Sequence, residues 1–205
     1  MSKPVSSTLN KTRMRDSRIL VAATIFAGIF CKAVSPEDVL THESLELVGY
    51  ILVITCAIGR IYASAFIGGK KSEQLITWGP YSLCRNPLYF FSLVGAIGIG
   101  LLSGSLVASA VICAGFIAIY NSLIRREEDF LLSKFGQRYS DYTSKTPRLW
   151  PSFQNYNCPD ELVFQPKYLT KAVADAVWWF VPFPLFEIAD YLKEQALMTP
   201  FINLW

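Results

Sequence analysis

The sequence is poor in charge: only 17% of its 205 residues are Asp, Glu, Lys or Arg, against about 25% in an average soluble domain. It is equally poor in the side chains that build metal centres and catalytic triads. Its one histidine, His42, stands in an acidic stretch, which leaves little basis for a histidine-centred metal site or a Ser-His-Asp arrangement. Five cysteines (Cys31, Cys56, Cys84, Cys113 and Cys158) are odd in number, lie far apart and form no CxxC pair. Neither zinc nor a disulfide framework is therefore indicated, and no metal is expected. Internal repeats and low-complexity tracts are missing. No small-residue cleavage site follows the apolar run Ile19–Cys31, and Lys32 comes directly after it, so the run reads as a retained anchor and not as a secretory signal peptide.

What is abundant is apolar surface: 52% of the residues are hydrophobic and 14% aromatic. A helix crossing about 30 Å of hydrocarbon needs about 20 mostly apolar positions. Between Arg85 and Arg125 lie 39 residues without a formal charge, about 58 Å of helix and nearly two crossings. Ser103-Gly104-Ser105 sits at the midpoint, with Gly100 nearby, and such residues let a chain reverse tightly. The pattern predicts a helical hairpin of spans 87–102 and 106–124. Two more spans are expected at 19–35 and 47–69, the latter with Arg60 as its only charge. A fifth hydrophobic segment, about 172–192, has only 11 uncharged residues between Asp175 and Glu187, interrupted by Pro182 and Pro184, and suits a re-entrant piece as well as a span. Residues 125–146 are charged, with Phe130, Leu131, Phe135, Tyr139 and Tyr142 near helical spacing, and predict an amphipathic helix leaving the membrane.

The predicted class is thus all-α: a polytopic membrane bundle of about five transmembrane or partly re-entrant helices. It divides into a tail (1–18), a membrane core (19–151) and an extension (152–205). Lys and Arg concentrate in residues 1–18 (five), 68–86 (three) and 125–171 (eight), together 16 of 19. The positive-inside rule then puts the N-terminus and both of these later segments on the cytoplasmic face. A net charge of +3 fits topology and anionic lipid better than nucleic acid, and membrane lipid is the expected partner.

Arg85 precedes the hairpin and Glu127 and Glu128 follow it, so folding the hairpin should return them to one face. A surface ion pair tying helix ends together is the plain reading of such charges. Tyr81, Tyr89, Arg60 and Arg148 can reach the same face, however, and would complete a polar, aromatic-lined cytoplasmic pocket at the lipid boundary. Arg60, about two turns from the end of its span, either snorkels or meets an acid or a bound anion. The run Gly95–Gly100 (GAIGIG) lacks the Lys-Ser/Thr of a phosphate loop and reads as close helix packing. Tyr50, Trp178 and Trp179 are expected at the lipid surface.

GPYSLCRNPLY, the apolar hairpin, REEDFLL and then KFGQRYSDYTSKTPRLWP resemble the membrane methyltransferases grouped with isoprenylcysteine carboxyl methyltransferase and the phospholipid methyltransferases. Gly79, Tyr81, Arg85, Pro87 and Tyr89 match the first motif of that family, and Glu127 and Glu128 the second. Phe135, Gly136, Tyr139, Tyr142, Pro147, Arg148 and Pro151 match the third. The resemblance covers about 45–151. Asn86 stands where the family usually carries histidine; its amide can still hydrogen-bond, but imidazole proton chemistry does not carry over.

The resemblance implies an S-adenosylmethionine-dependent methyltransferase acting on a lipophilic or lipid-linked acceptor. Tyr81, Arg85, Asn86, Pro87, Tyr89, Glu127 and Glu128 would hold the cofactor, and Arg60, Glu128 and Arg148 would serve the transfer. A phospholipid or small-thiol acceptor, or a non-enzymatic carrier or scaffold, are the alternatives.

Overall fold

A computed structural model describes residues 39–69, 73–103 and 106–195. The expected span 19–35, the tail before it, the hairpin apex Gly104-Ser105 and the chain after residue 195 lie outside the described residues, as does the His42 side chain.

Every regular element among the described residues is helical. The long first helix, α1 (Val39–Ile67), starts eight residues before the expected span and stops two residues short of its expected end. It closes with a turn at Gly69, whose φ of 77° a side chain would resist. A single turn, α2 (Pro80–Leu83), leads into α3 (Pro87–Leu102), which has the bounds expected from the uncharged run, with Pro87 in its first turn. The return helix α4 (Leu106–Phe135) does not stop at the end of its apolar part but carries its charged stretch on unbroken. Gly136, at φ 54°, then breaks the expected 125–146 helix, and α5 (Gln137–Lys145) follows. Beyond a long connection come α6 (Pro166–Val177), a 3-10 turn (Trp178–Phe180) and α7 (Pro182–Glu194).

Glycines let α1 and α3 pack closely antiparallel. A Cβ built on Gly49 would lie 2.9 Å from the Gly98 carbonyl oxygen, and one on Gly59 would lie 2.2 Å from the Phe91 ring. On its other side α3 faces α4 through Tyr89, Leu93, Ala96, Ile112, Phe116, Tyr120 and Leu123, one continuous apolar cluster. The fifth segment runs antiparallel to α1 from Gly68 to Tyr50, and its last helix packs against α3. Tyr168 packs at Gly68, Trp179 at Gly95 and Cys56, and Phe183 meets Tyr50 edge to face at 4.8 Å, while Phe186 joins Val53 and Leu102. Glu43–Ile67 and Pro166–Ala189, 25 and 24 residues long, are each long and apolar enough to cross a bilayer. Pro182 is absorbed because it opens a new helix after the 3-10 turn instead of interrupting one.

The segment after α5 is stitched back across the α2 turn. Arg85 N donates to Pro147 O (2.9 Å), Ser152 N to Leu83 O (2.9 Å) and Gly79 N to Asn157 O (2.6 Å). From α5 the buried Tyr142 hydroxyl donates to Tyr81 O at 2.6 Å. Tyr142→Phe removes that donor and leaves a buried carbonyl unsatisfied. It is expected to lower stability by about 1–2 kcal/mol, read as an earlier thermal unfolding of the detergent-solubilised protein.

Candidate functional site

The two ends of the hairpin meet. Glu128, on the charged continuation of α4, stands beside Arg85, which immediately precedes α3; Arg85 Nη1 lies 3.4 Å from Glu128 Oε1, and both side chains are only 17% exposed. The stitched segment brings a second guanidinium: Arg148 Nε donates to Glu128 Oε2 at 2.9 Å, and its Nη1 donates to Asn121 Oδ1 at 2.8 Å. Asn86, buried at the start of α3, donates from Nδ2 to Arg148 O (3.0 Å) and to Glu128 Oε1 (3.4 Å). At the family's usual histidine position, its amide thus ties the stitched segment to the carboxylate. With Oε1 serving Arg85 and Asn86 and Oε2 serving Arg148, Glu128 acts as the hub that orients two cations. Arg85 Nε is buried and has no hydrogen-bond acceptor among the described residues, so this guanidinium still has a donor to offer.

Beneath the ionic layer lies an aromatic floor. The Tyr89 ring meets Tyr120 edge to face at 5.3 Å, and Tyr120 stacks on Phe116 at 4.0 Å. Pro87 is buried in the first turn of α3, and Tyr81 packs with Phe66 and Ile76 under the α2 turn. Glu127 is half-buried on the adjoining face of α4. Tyr139, buried above the hub, has its hydroxyl pushed up to about 12 by burial first and the Glu128 charge second. Burial likewise raises the Tyr142 hydroxyl. Both remain protonated at neutral pH and do not act as bases; Tyr142 donates to Tyr81 O, and the Tyr139 hydroxyl accepts from Arg85. Because the folded pKa of Tyr139 exceeds the usual 10, its contribution to stability is complete below pH 10 and is lost as pH rises from there towards 12. Alkaline unfolding of Tyr139→Phe should accordingly show a shallower pH dependence in that window.

Arg60 is not drawn into this cluster. It lies on the α1-facing side of α3, where Nη1 donates to Ser92 Oγ and, at 3.5 Å, to Leu88 O. Its guanidinium sits 5.5 Å from the centre of the Trp179 ring, and Nε is buried without an acceptor among the described residues. Trp178 is exposed as expected, but Trp179 and Tyr50 turn into the bundle. The reason for Trp179 is a notch: a Cβ on Gly95 would lie 2.5 Å from Cys56 Sγ and 2.6 Å from the Trp179 ring. The GAIGIG run therefore serves close packing, as its composition predicts. Gly95→Ala is expected to push Trp179 off Arg60 and to cost about 1–3 kcal/mol, measurable by thermal unfolding and by a change in tryptophan emission.

Sequence reasoning missed Asn121, Ser92 and Trp179. Asn121 carries a readable signal, since it stands seven residues before Glu128 and two helical turns place both on one face. Ser92 and Trp179 carry none, because their partners are distant in the chain.

Among the described residues no group of three or more His, Cys, Asp or Glu is placed to hold a metal ion. The geometry instead gathers two guanidinium groups around one carboxylate, near the Tyr89–Tyr120–Phe116 ring cluster, a donor set suited to a carboxylate-bearing ligand. Residues 44–138 match the phospholipid methyltransferase family. The nickel-cobalt-cadmium resistance protein NccN of Alcaligenes xylosoxydans xylosoxydans is 31% identical over 176 residues, which cover 86% of this chain and 82% of that protein. The cobalt-zinc-cadmium resistance protein CzcN of Cupriavidus metallidurans is 31% identical over 204 residues, covering 100% of this chain and 94% of that one. The protein-S-isoprenylcysteine O-methyltransferase of Schizosaccharomyces pombe is 31% identical over 78 residues, 38% of this chain and 33% of that protein. With its motif residues gathered at one end of an antiparallel helix pair, the chain belongs to the family of membrane methyltransferases that includes isoprenylcysteine carboxyl methyltransferase and the phospholipid methyltransferases.

Proposed function

We propose that this protein is an integral membrane methyltransferase that uses S-adenosylmethionine and acts on a lipophilic acceptor, with its N-terminus and site on the cytoplasmic side. The observation that carries this reading is the Arg85–Glu128–Arg148 hub, with Arg85 Nε buried and without an acceptor. S-adenosylmethionine, when bound, supplies an electrophilic methyl group on a positively charged sulfonium. Its carboxylate matches the donors of Arg85, and the flat Tyr89 face suits its cationic or aromatic parts. Pro87 and Asn86 fix the backbone that aims Arg85, and Tyr81 anchors the same turn. Glu128 keeps Arg85 and Arg148 oriented, while Glu127 supplies a second carboxylate for an ammonium or hydroxyl group.

The apolar floor limits water around the site, which favours a transfer in which positive charge is lost. Holding donor and acceptor in line supplies much of the remaining rate. An acidic acceptor would be held by Arg148 or, from the α1 side, by Arg60; an amine acceptor would need a base, for which the two glutamates are the candidates.

Two relatives that align over most of this chain are named for nickel, cobalt, zinc and cadmium resistance. We carry over the setting from them: a methylation of the membrane or of a lipid-linked component in cells exposed to such metals.

The test is transfer of tritium-labelled methyl groups from S-adenosylmethionine into membranes that contain the protein. Incorporation is expected in the wild type and in His42→Ala, and is expected to disappear in Arg85→Ala and Glu128→Ala. Incorporation that survives both pocket substitutions would remove the site. Solute flux in proteoliposomes without any dependence on the cofactor would instead favour a carrier.

A further inference from the structure

Residues 154–167 look from their sequence like a polar, turn-rich surface loop, yet between residues 150 and 164 the structure turns all the large apolar side chains but Leu162 outward. Trp150 is 68% exposed, Phe153 75% and Val163 80%, with Tyr156 and Phe164 also exposed. The backbone that carries Trp150, Phe153 and Tyr156 is held by hydrogen bonds to Leu83 at Ser152 and to Gly79 at Asn157.

The height of this segment in the bundle is fixed by two contacts. The Tyr156 hydroxyl lies 3.2 Å from that of Tyr62. Tyr62 stands five residues before the end of α1, about 7–8 Å down the helix. The Trp150 ring meets Phe90, in the first turn of α3, edge on at 6.1 Å. Tyr156 and Trp150 therefore sit level with the last turns of α1 and the first of α3, not beyond the helix ends. Through Tyr156 the segment joins the outward stripe of Leu47, Ile51, Ile54, Ile58 and Tyr62 on α1. Tyrosine and tryptophan at that depth, interleaved with Asn155, Asp160 and Glu161, have the composition of a headgroup boundary.

We propose that residues 150–164 form an interfacial collar whose aromatic and aliphatic side chains lie among the headgroups and upper acyl chains of the leaflet at the site end. Trp150 is two residues beyond Arg148, so the collar brings the lipid boundary to the edge of the Glu128 hub. Where the proposed function holds, this is where a lipophilic acceptor leaves the bilayer.

The collar is tested without cofactor or acceptor, so its failure leaves the functional reading untouched. The full-length protein is reconstituted in liposomes of phosphatidylcholine and phosphatidylglycerol that include a phosphatidylcholine with a diazirine high on one acyl chain. After irradiation, labelled residues are mapped by mass spectrometry. Trp150, Phe153 and Val163 are expected to label within about twofold of the Ile51–Tyr62 stripe and about fivefold above Asp141 and Lys145 on α5. Labelling of 150–164 no higher than that of α5 would overturn the proposal. So would protection of the segment from both the lipid probe and an aqueous hydroxyl-radical footprint, which would mean that protein covers it.

Discussion

Glu128→Ala is expected to reduce S-adenosylmethionine binding about a hundredfold, the largest loss from any single side chain at the site. The substitution removes the acceptor shared by Arg85 Nη1, Asn86 Nδ2 and Arg148 Nε and leaves two guanidinium groups facing each other. An Arg85 left without its orienting partner forfeits a charge-assisted contact to the cofactor carboxylate worth about 3 kcal/mol, which corresponds to about two powers of ten in affinity. Glu128→Gln keeps the shape and one acceptor oxygen but not the charge, and should fall between the two. Calorimetric titration with S-adenosylmethionine, alongside a thermal unfolding curve that shows the fold retained, measures the effect. Wild-type affinity in Glu128→Ala would reject the hub as the organiser of the site. If Arg85 carries the cofactor carboxylate, Arg85→Lys should recover little, because a single ammonium cannot reproduce a forked pair of donors.

Gly79→Val is expected to lower stability by several kcal/mol and to abolish activity, whereas Gly136→Ala should cost only about 1 kcal/mol. Both glycines belong to the motifs and both have positive φ, 61° and 54°, so the strain of placing a side chain in the left-handed region is common to them. Space separates the two. A Cβ on Gly79 would lie 2.2 Å from the Phe66 ring, while one on Gly136 meets nothing within 4 Å. Gly79 also accepts the Ser82 hydroxyl (2.7 Å) and donates to Asn157 O, so moving it pulls on the segment that delivers Arg148. Paired unfolding curves decide the matter, and equal destabilisation by the two substitutions would contradict the packing argument.

The hairpin was readable because 39 residues without a formal charge exceed what one crossing of about 20 residues can use, and Pro87–Leu102, a 16-residue apolar helix, emerges with the expected bounds. The meeting of Arg85 with Glu128 follows from that alone. Less readable was the continuity of α4 through its charged stretch to Phe135 and the break at Gly136, since amphipathic periodicity runs on through a single glycine without marking it. The arrival of Arg148 rests on backbone hydrogen bonds between 147–157 and 79–85, which leave no pattern in side-chain types. Trp179 could face lipid or a groove equally well by composition, and the Gly95 notch in a different helix decides it.

The amino-acid order by itself determined that the chain is helical, that it is built for a membrane, and which charges flank the hairpin, because burying charge in hydrocarbon is costly wherever the chain goes. Only the tertiary structure decided that Glu128 is shared by two arginines, that Arg60 belongs under Trp179 and outside that cluster, and that the fifth segment packs antiparallel on α1 between Gly68 and Tyr50. Those outcomes depend on side chains that meet across 20 to more than 100 residues of chain, where packing selects among partners that local sequence leaves equivalent.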